Sequence, residues 1–250
     1  MEVTDAVMVI AAGIFAGFLN VVAGGGSLIT LPLLIFLGLP SAVANATNRI
    51  AIVGQNIFAV AGFHSKGIST WPYNLYLGIS ACIGAIFGAR IAVDIPDQLF
   101  NRILSLVMLV VAILIIIRPV RTKSPQQERL SLKHQIIGVI SFFGVGVYGG
   151  FIQAGVGFIM IPLLTAINRF SLVKTNSTKV FVALTYSLSA LAVFIMEGVV
   201  NWVFGLVLAL GTAIGGWIGS RWSVAKGDVW IKRVLIVTIV GLAVKLWFFN

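Results

Sequence analysis

Two short polar stretches stand out in an otherwise apolar chain: Asn45-Ala46-Thr47-Asn48-Arg49 and Asn176-Ser177-Thr178-Lys179. Each combines amide and hydroxyl side chains with one cation within little more than a helical turn. Residues four apart share a helix face, so Asn45 and Arg49 point the same way. Amide and hydroxyl donors beside a fixed positive charge are suited to binding oxygen atoms of an anion. A buried cation in a membrane segment faces a cavity or a partner. The competing reading is a cation that snorkels to the interface or marks a cytoplasmic end. That reading is strong for Lys174, even for Lys179 and weaker for Arg49.

A second pair of features lies just upstream of these stretches. Ala23-Gly24-Gly25-Gly26-Ser27 and Ala154-Gly155-Val156-Gly157 interrupt hydrophobic runs, preceded by Asn20 and Gln153. Glycine costs about 1 kcal/mol per residue in a helix interior. Clustered glycines therefore mark a broken helix or a close approach of chains. A break bares backbone N–H groups, and a half-helix starting there turns its positive end toward the break. Anion binding follows from that arrangement. Ser80, Gly84 and Gly88, and likewise Gly211, Gly215 and Gly219, recur at small-residue spacing and read as helix packing.

The acids supply the contrast. All seven (Glu2, Asp5, Asp94, Asp97, Glu128, Glu197 and Asp228) lie outside the middle of the hydrophobic runs. A cation carrier, a carboxylate proton relay or an oxygen-ligand metal site would need acids there. His64 and His134 have no partner at ligand spacing, and Cys82 is the only cysteine, so metal binding and an intrachain disulfide are not expected. No nucleophile–base pair for a membrane enzyme and no phosphate-binding glycine loop is apparent. No cofactor is expected.

These motifs are positioned by a duplicated sequence. Residues 45–104 recur at 176–235, 131 positions later, with Asn45/Asn176, Thr47/Thr178, Gly67/Gly198, Trp71/Trp202, Arg90/Arg221, Asp97/Asp228 and Arg102/Arg233 in register. Upstream the offset is 130 (Gly25/Gly155, Pro32/Pro162), and Gly17-Phe18 aligns with Gly150-Phe151 at 133. Apolar residues make up 59% and charged residues 10% of the chain, against about 25% charged in a soluble domain. The chain is therefore read as an all-α, polytopic membrane protein. Segments are expected at 6–23, 27–39, 42–63, 72–93 and 98–117, then 135–153, 156–167, 172–196, 202–222 and 229–249. The second of each set is too short to span a bilayer. This gives eight to ten helical segments in two repeats, 1–118 and 135–250, around a basic linker, 119–134.

The net charge of +10 sits mainly between hydrophobic runs. It marks cytoplasmic loops, not nucleic-acid binding. The linker and the 221–233 loop belong in the cytoplasm. The N- and C-termini belong outside. Asp97 and Asp228 then land on opposite faces, so the repeats are expected to be inverted, as in alternating-access transporters. Whether the first two segments of each repeat cross fully or re-enter stays open. The expected partners are a small anion and the lipid bilayer, with a homodimer left open.

The residues Ala23-Gly24-Gly25-Gly26-Ser27, Pro32-Leu33-Leu34, Ala46-Thr47, Gly67 and Trp71, with Gly155, Gly157, Pro162-Leu163-Leu164, Thr178, Gly198 and Trp202, resemble the sulfite exporter TauE/SafE family over nearly the whole chain. The resemblance implies transport of sulfite or an organosulfonate such as sulfoacetate across a bacterial-type cell membrane. Family members often carry a small hydroxyl residue at the positions of Asn48 and Lys179. The expected mechanism is alternating access; a passive anion channel or a carrier of another small organic anion is the alternative. The substrate-binding set is Asn20, Gly24, Gly25, Gly26, Ser27, Asn45, Thr47, Asn48, Arg49, Gln153, Gly155, Gly157, Asn176, Thr178 and Lys179.

Overall fold

A computed structural model describes residues 3–117 and 127–248. All regular elements among them are helical: α1 (Val3–Val22), α2 (Ser27–Phe36), α3 (Ser41–His64), α4 (Tyr73–Asp94), α5 (Asp97–Ile117), α6 (Leu132–Phe151), α7 (Val156–Ile167), α8 (Leu172–Met196) and α9 (Trp202–Phe248). Gly227 (φ 70°, ψ −172°) breaks α9 where the sequence predicts two segments. Arg118 and the first part of the basic linker, with Arg121 and Lys123, lie outside the described residues.

The helices are inside-out relative to a soluble protein. On α4 the outward stripe is Ile79, Ile83, Phe87 and Ile91, each about half exposed, while the inward stripe is Ala81, Ala85 and Ala89, all buried. On α9, Val203, Leu206, Leu210, Ile214 and Ile218 face outward in the same way. Water would penalise such a surface, whereas lipid matches it, and small inward residues let helix backbones approach. α1, α4, α6, α8 and α9 are long and apolar enough to cross a membrane. α3 has 24 residues, about 36 Å of helix, but its buried face carries Asn45, Thr47, Asn48, Arg49, Gln55 and Asn56. α2 and α7, at 10 and 12 residues, reach only about 15–18 Å.

The two copies interlock. α1 of the first copy packs along α9 of the second, and α6 of the second along α4 of the first. α3 likewise packs on α9 and α8 on α4. Small residues make this possible. Gly84 meets Phe143 and Val147 of α6, while Gly215 meets Ile14 and Phe18 of α1. Gly88 meets Val147 and Phe151, while Gly219 meets Phe18 and Val21. A Cβ at Gly84 or Gly215 would collide with backbone, so glycine is required there.

These contacts correct the alignment of the first helices. Ile14 and Phe18 stand where Phe143 and Val147 stand, an offset of 129. The Gly17-Phe18/Gly150-Phe151 match at 133 is therefore a coincidence of composition in two glycine-rich helices. Gly17 packs on Thr212, and its true counterpart Gly146 packs on Ala81.

The paired acids have structural work. Asp228 Oδ2 and Oδ1 accept from the backbone N–H groups of Leu172 (2.9 Å) and Val173 (3.0 Å) at the start of α8. Asp97 Oδ1 accepts from the N–H of Ala42 (3.3 Å) at the start of α3. Free N–H groups and the positive helix end both favour a carboxylate at that position. In each copy, the fourth-to-fifth helix junction thus holds the beginning of the third helix.

Candidate functional site

The site begins where α1 and α6 stop. Gly24 (φ 90°) and Gly155 (φ 73°) adopt the left-handed conformation that glycine tolerates and other residues resist. The chain can therefore leave α1, turn and start α2; the same happens between α6 and α7. The two breaks touch: a Cβ on Gly24 would lie 2.6 Å from the Cα of Gly157. Backbone meets backbone at the centre of the molecule, and nothing larger than hydrogen fits on either residue.

Stopping a helix inside a membrane leaves carbonyls without intrahelical partners. The two cations of the polar stretches fill that need. The Arg49 guanidinium donates to the carbonyls of Gly149 and Gly150 (2.9 Å for the latter), to Gln153 Oε1 (2.6 Å) and to Asn45 Oδ1 (3.4 Å). Asn45 Nδ2 takes the next carbonyl, Phe151 O, at 2.8 Å. In the other half, Lys179 Nζ donates to Asn20 O (3.0 Å), Val21 O (2.7 Å) and Asn176 Oδ1 (2.9 Å). Asn176 Nδ2 donates to Val22 O at 3.0 Å. The carbonyls used are again 129 positions apart. Each half therefore caps the negative end of the other half's first helix.

Electrostatics follow from counting. Arg49 is fully buried and Lys179 nearly so. Among the described residues no carboxylate is a hydrogen-bond partner of either, and no Asp or Glu is buried. The two helix C-termini that they cap contribute about −0.5 each, which offsets only part of the charge that a guanidinium and an ammonium carry. Burying net charge is costly unless something offsets it.

Polar groups on α2 and α3 are partly unfilled. Thr30 Oγ1 donates to Asn48 Oδ1 at 2.8 Å, leaving Asn48 Nδ2 without a partner. Ser27 Oγ, one turn before Thr30 on α2, and Arg49 Nε are also buried and unpartnered. Unpaired buried donors cost about 1–3 kcal/mol each, and all three of these can donate to an oxyanion.

The fold brings together Asn45, Arg49 and Gln153 in one cluster and Asn20, Asn176 and Lys179 in the other, beside the contact of Gly24 with Gly157. Ser27 and Asn48 lie on the facing sides of α2 and α3. Gly26 meets Ala16 and Asn20 of its own copy. Thr47 and Thr178 are engaged away from these clusters. Thr47 Oγ1 accepts from the N–H of Asn201 (3.0 Å), and Thr178 Oγ1 shares a hydrogen bond with Thr70 Oγ1 (2.8 Å), both across the seam between copies.

Sequence reasoning missed the residues behind the clusters. Gln153 Nε2 donates to the hydroxyl of buried Tyr186 (2.9 Å), and Asn20 Nδ2 donates to Gln55 Oε1 (3.2 Å). Gln55 and Tyr186 are themselves 131 positions apart, so two polar residues at one repeat position in apolar helices were the available signal. Phe194 was missed as well; its ring lies 5.6 Å from the Arg49 guanidinium carbon.

A lipid-facing exterior, interlocked copies and a buried, cation-bearing centre define a multi-pass helical membrane protein with one polar core shared by two halves. The sulfite exporter TauE/SafE family model matches residues 9–246, and the chain belongs to that family. It is 27% identical over 236 residues to a probable membrane transporter protein, ORF9, from Sinorhizobium sp, covering 94% of this chain and 89% of that protein. It is 26% identical to a probable membrane transporter protein of Haemophilus influenzae, covering 94% of this chain and 91% of the relative. It is also 26% identical to the probable membrane transporter protein YdhB of Bacillus subtilis, covering 92% and 94%. No solved structure matches. The protein is a membrane transporter.

Proposed function

We propose that the chain is a secondary transporter of a small oxyanion, sulfite or an organosulfonate such as sulfoacetate, working by alternating access. The observation that carries this reading is the pair Arg49 and Lys179, buried at the two glycine breaks with no carboxylate partner among the described residues. A sulfonate or sulfite offers three oxygens and a negative charge. Ser27 Oγ, Asn48 Nδ2 and Arg49 Nε are among the buried donors with capacity to spare, as are the hydroxyls of Thr175 and Ser187. Asn20, Gln153, Asn45 and Asn176 hold the two cations in place, and Thr47 and Thr178 tie the site to the loops that must move with it.

Inverted repeats support such a cycle. The start of α3 lies beside the end of α8, where Arg49 stacks on Phe194. The end of α3 leads to the loop that meets the start of α8, where Thr70 meets Thr178. Two equivalent helices running in opposite directions are what repeats of opposite membrane orientation require. Exchanging which break opens to water would then present the same central site to either side. The linker faces the cytoplasm of a bacterial inner membrane, and both termini face outside.

The test is uptake of radiolabelled sulfite, sulfoacetate and acetate into proteoliposomes, with and without unlabelled anion trapped inside. Saturable uptake of a sulfur oxyanion, accelerated by trapped anion, is expected for a carrier. Flux that neither saturates nor responds to the trapped anion identifies a channel. Preference for acetate excludes the sulfonate assignment.

A further inference from the structure

The break in α9 is surrounded by charge that the fold itself does not require. Between residues 221 and 233 stand Arg221, Lys226, Lys232 and Arg233 against the single acid Asp228. The repeat provides an internal control, since residues 90–102 occupy the same place in the other copy. There Arg90 and Arg102 are balanced by Asp94 and Asp97. Lys226 stands where the other copy has Ile95, Lys232 where it has Asn101 and Trp230 where it has Leu99. The same helix junction is thus built once neutral and once strongly basic.

Geometry adds to composition. Trp230 is 44% exposed, and two cations converge on its ring: the Arg233 guanidinium carbon at 4.7 Å and Lys226 Nζ at 5.7 Å. Arg221 lies 4.8 Å from the Trp217 ring. Arg221, Lys226 and Arg233 are exposed. Asp228, the one acid of the 221–233 stretch, is occupied by the N–H groups of Leu172 and Val173. Two like charges gathered on one indole repel, and an anion between them relieves the repulsion. Trp and Tyr rings settle at headgroup depth in bilayers, and exposed basic clusters there attract anionic lipid.

We propose that Arg221, Lys226, Trp230 and Arg233 form a binding surface for the headgroup of an anionic phospholipid in the leaflet that the 221–233 loop faces. The lipid phosphate accepts from Lys226 and Arg233, and the Trp230 ring packs on the glycerol and upper acyl region. A free anion has no use for the exposed ring, which is why the occupant is lipid. The inference is independent of the transported substrate, because it lies on the outer surface of α9 and uses none of the central residues.

Native mass spectrometry of the full-length protein, titrated with phosphatidylglycerol or phosphatidylcholine, tests it. Phosphatidylglycerol is expected to be retained at least tenfold better. That preference should disappear in the triple variant Arg221→Gln/Lys226→Gln/Arg233→Gln and persist in Arg90→Gln/Arg102→Gln. Should the triple variant not fold, Trp230→Leu serves, since leucine stands at the equivalent position in the other copy; it should lower phosphatidylglycerol retention several-fold. Equal retention of both lipids overturns the proposal. So does an undiminished preference in the variants, or displacement of the lipid by millimolar inorganic phosphate.

Discussion

Arg49 and Lys179 do the same job from adjacent, not equivalent, positions. Repeat register places Lys179 opposite Asn48 and Arg49 opposite Val180. Yet both cations end on carbonyls that correspond residue for residue, Gly149 and Gly150 in one case and Asn20 and Val21 in the other. The longer arginine side chain starts one residue further along its helix and still reaches the equivalent acceptors. The conserved quantity in the duplication is thus a positive charge on a broken helix end, with the residue that supplies it free to shift by one.

Removing either cation should therefore damage the fold as well as transport. Arg49→Met strips two carbonyls and Gln153 of their donor, whereas Lys179→Met strips two carbonyls and Asn176. At about 1–3 kcal/mol for each buried group left unpaired, both variants should unfold at lower temperature in detergent, Arg49→Met the more so because it loses four hydrogen bonds against three. Arg49→Lys keeps the charge without the fork, so it should recover part of the thermal stability while transporting poorly. Intrinsic fluorescence during heating, paired with proteoliposome flux, separates the two effects.

Glycine substitutions should divide by what the added methyl meets. Gly157→Ala drives a Cβ into the backbone of Gly24, and neither chain can yield without moving a break. Loss of folded protein on size-exclusion chromatography is expected. Gly144 lies in α6 with nothing within 4 Å of its Cβ position. Gly144→Ala should be neutral or stabilise by up to about 1 kcal/mol through helix propensity. A destabilised Gly144→Ala would mean that this face of α6 is covered by something outside the chain.

The sequence carries most of the helix map because hydrophobic run length and glycine breaks are local signals. α7 and α8 begin and end where the runs at 156–167 and 172–196 do. The acid-poor interior was legible too, since acids confined to the ends of hydrophobic runs cannot reach the centre. Interactions between distant residues were not legible. Sequence does not reveal that Arg49 and Lys179 also cap carbonyls 100 and 158 residues away. Asp97 and Asp228 read as topology markers, and only the packed structure brings them to the starts of α3 and α8. The first helices were misaligned by four residues, since glycine and phenylalanine recur too often in them to fix a register.

Those two aspartates give a prediction with an internal comparison. Asp228 accepts two backbone N–H groups at 2.9 and 3.0 Å and is partly buried, whereas Asp97 accepts one at 3.3 Å and is exposed. Loss of an N-terminal cap costs about 0.5–2 kcal/mol. Asp228→Ala should fall at the upper end of that range and Asp97→Ala at the lower, measured by unfolding temperature. Asn at either position keeps an acceptor oxygen but loses the charge, so Asp228→Asn should lie between wild type and Asp228→Ala.

Tyr186 should affect transport without touching the transported anion. Its hydroxyl accepts from Gln153 Nε2, and the opposite end of that amide accepts from Arg49. Tyr186→Phe frees the Gln153 amide to rotate, so the guanidinium loses a fixed partner while keeping its carbonyls. Losing one such hydrogen bond costs about 1 kcal/mol, or roughly a fivefold rise in the KM for uptake, with little change in maximal flux. Tyr186 is a positioning residue on this account, and a second substitution exposes it. In an Arg49→Lys background, where the fork that Gln153 orients is gone, Tyr186→Phe should raise KM by much less than fivefold. An undiminished effect in that background would place the hydroxyl in direct contact with the anion instead.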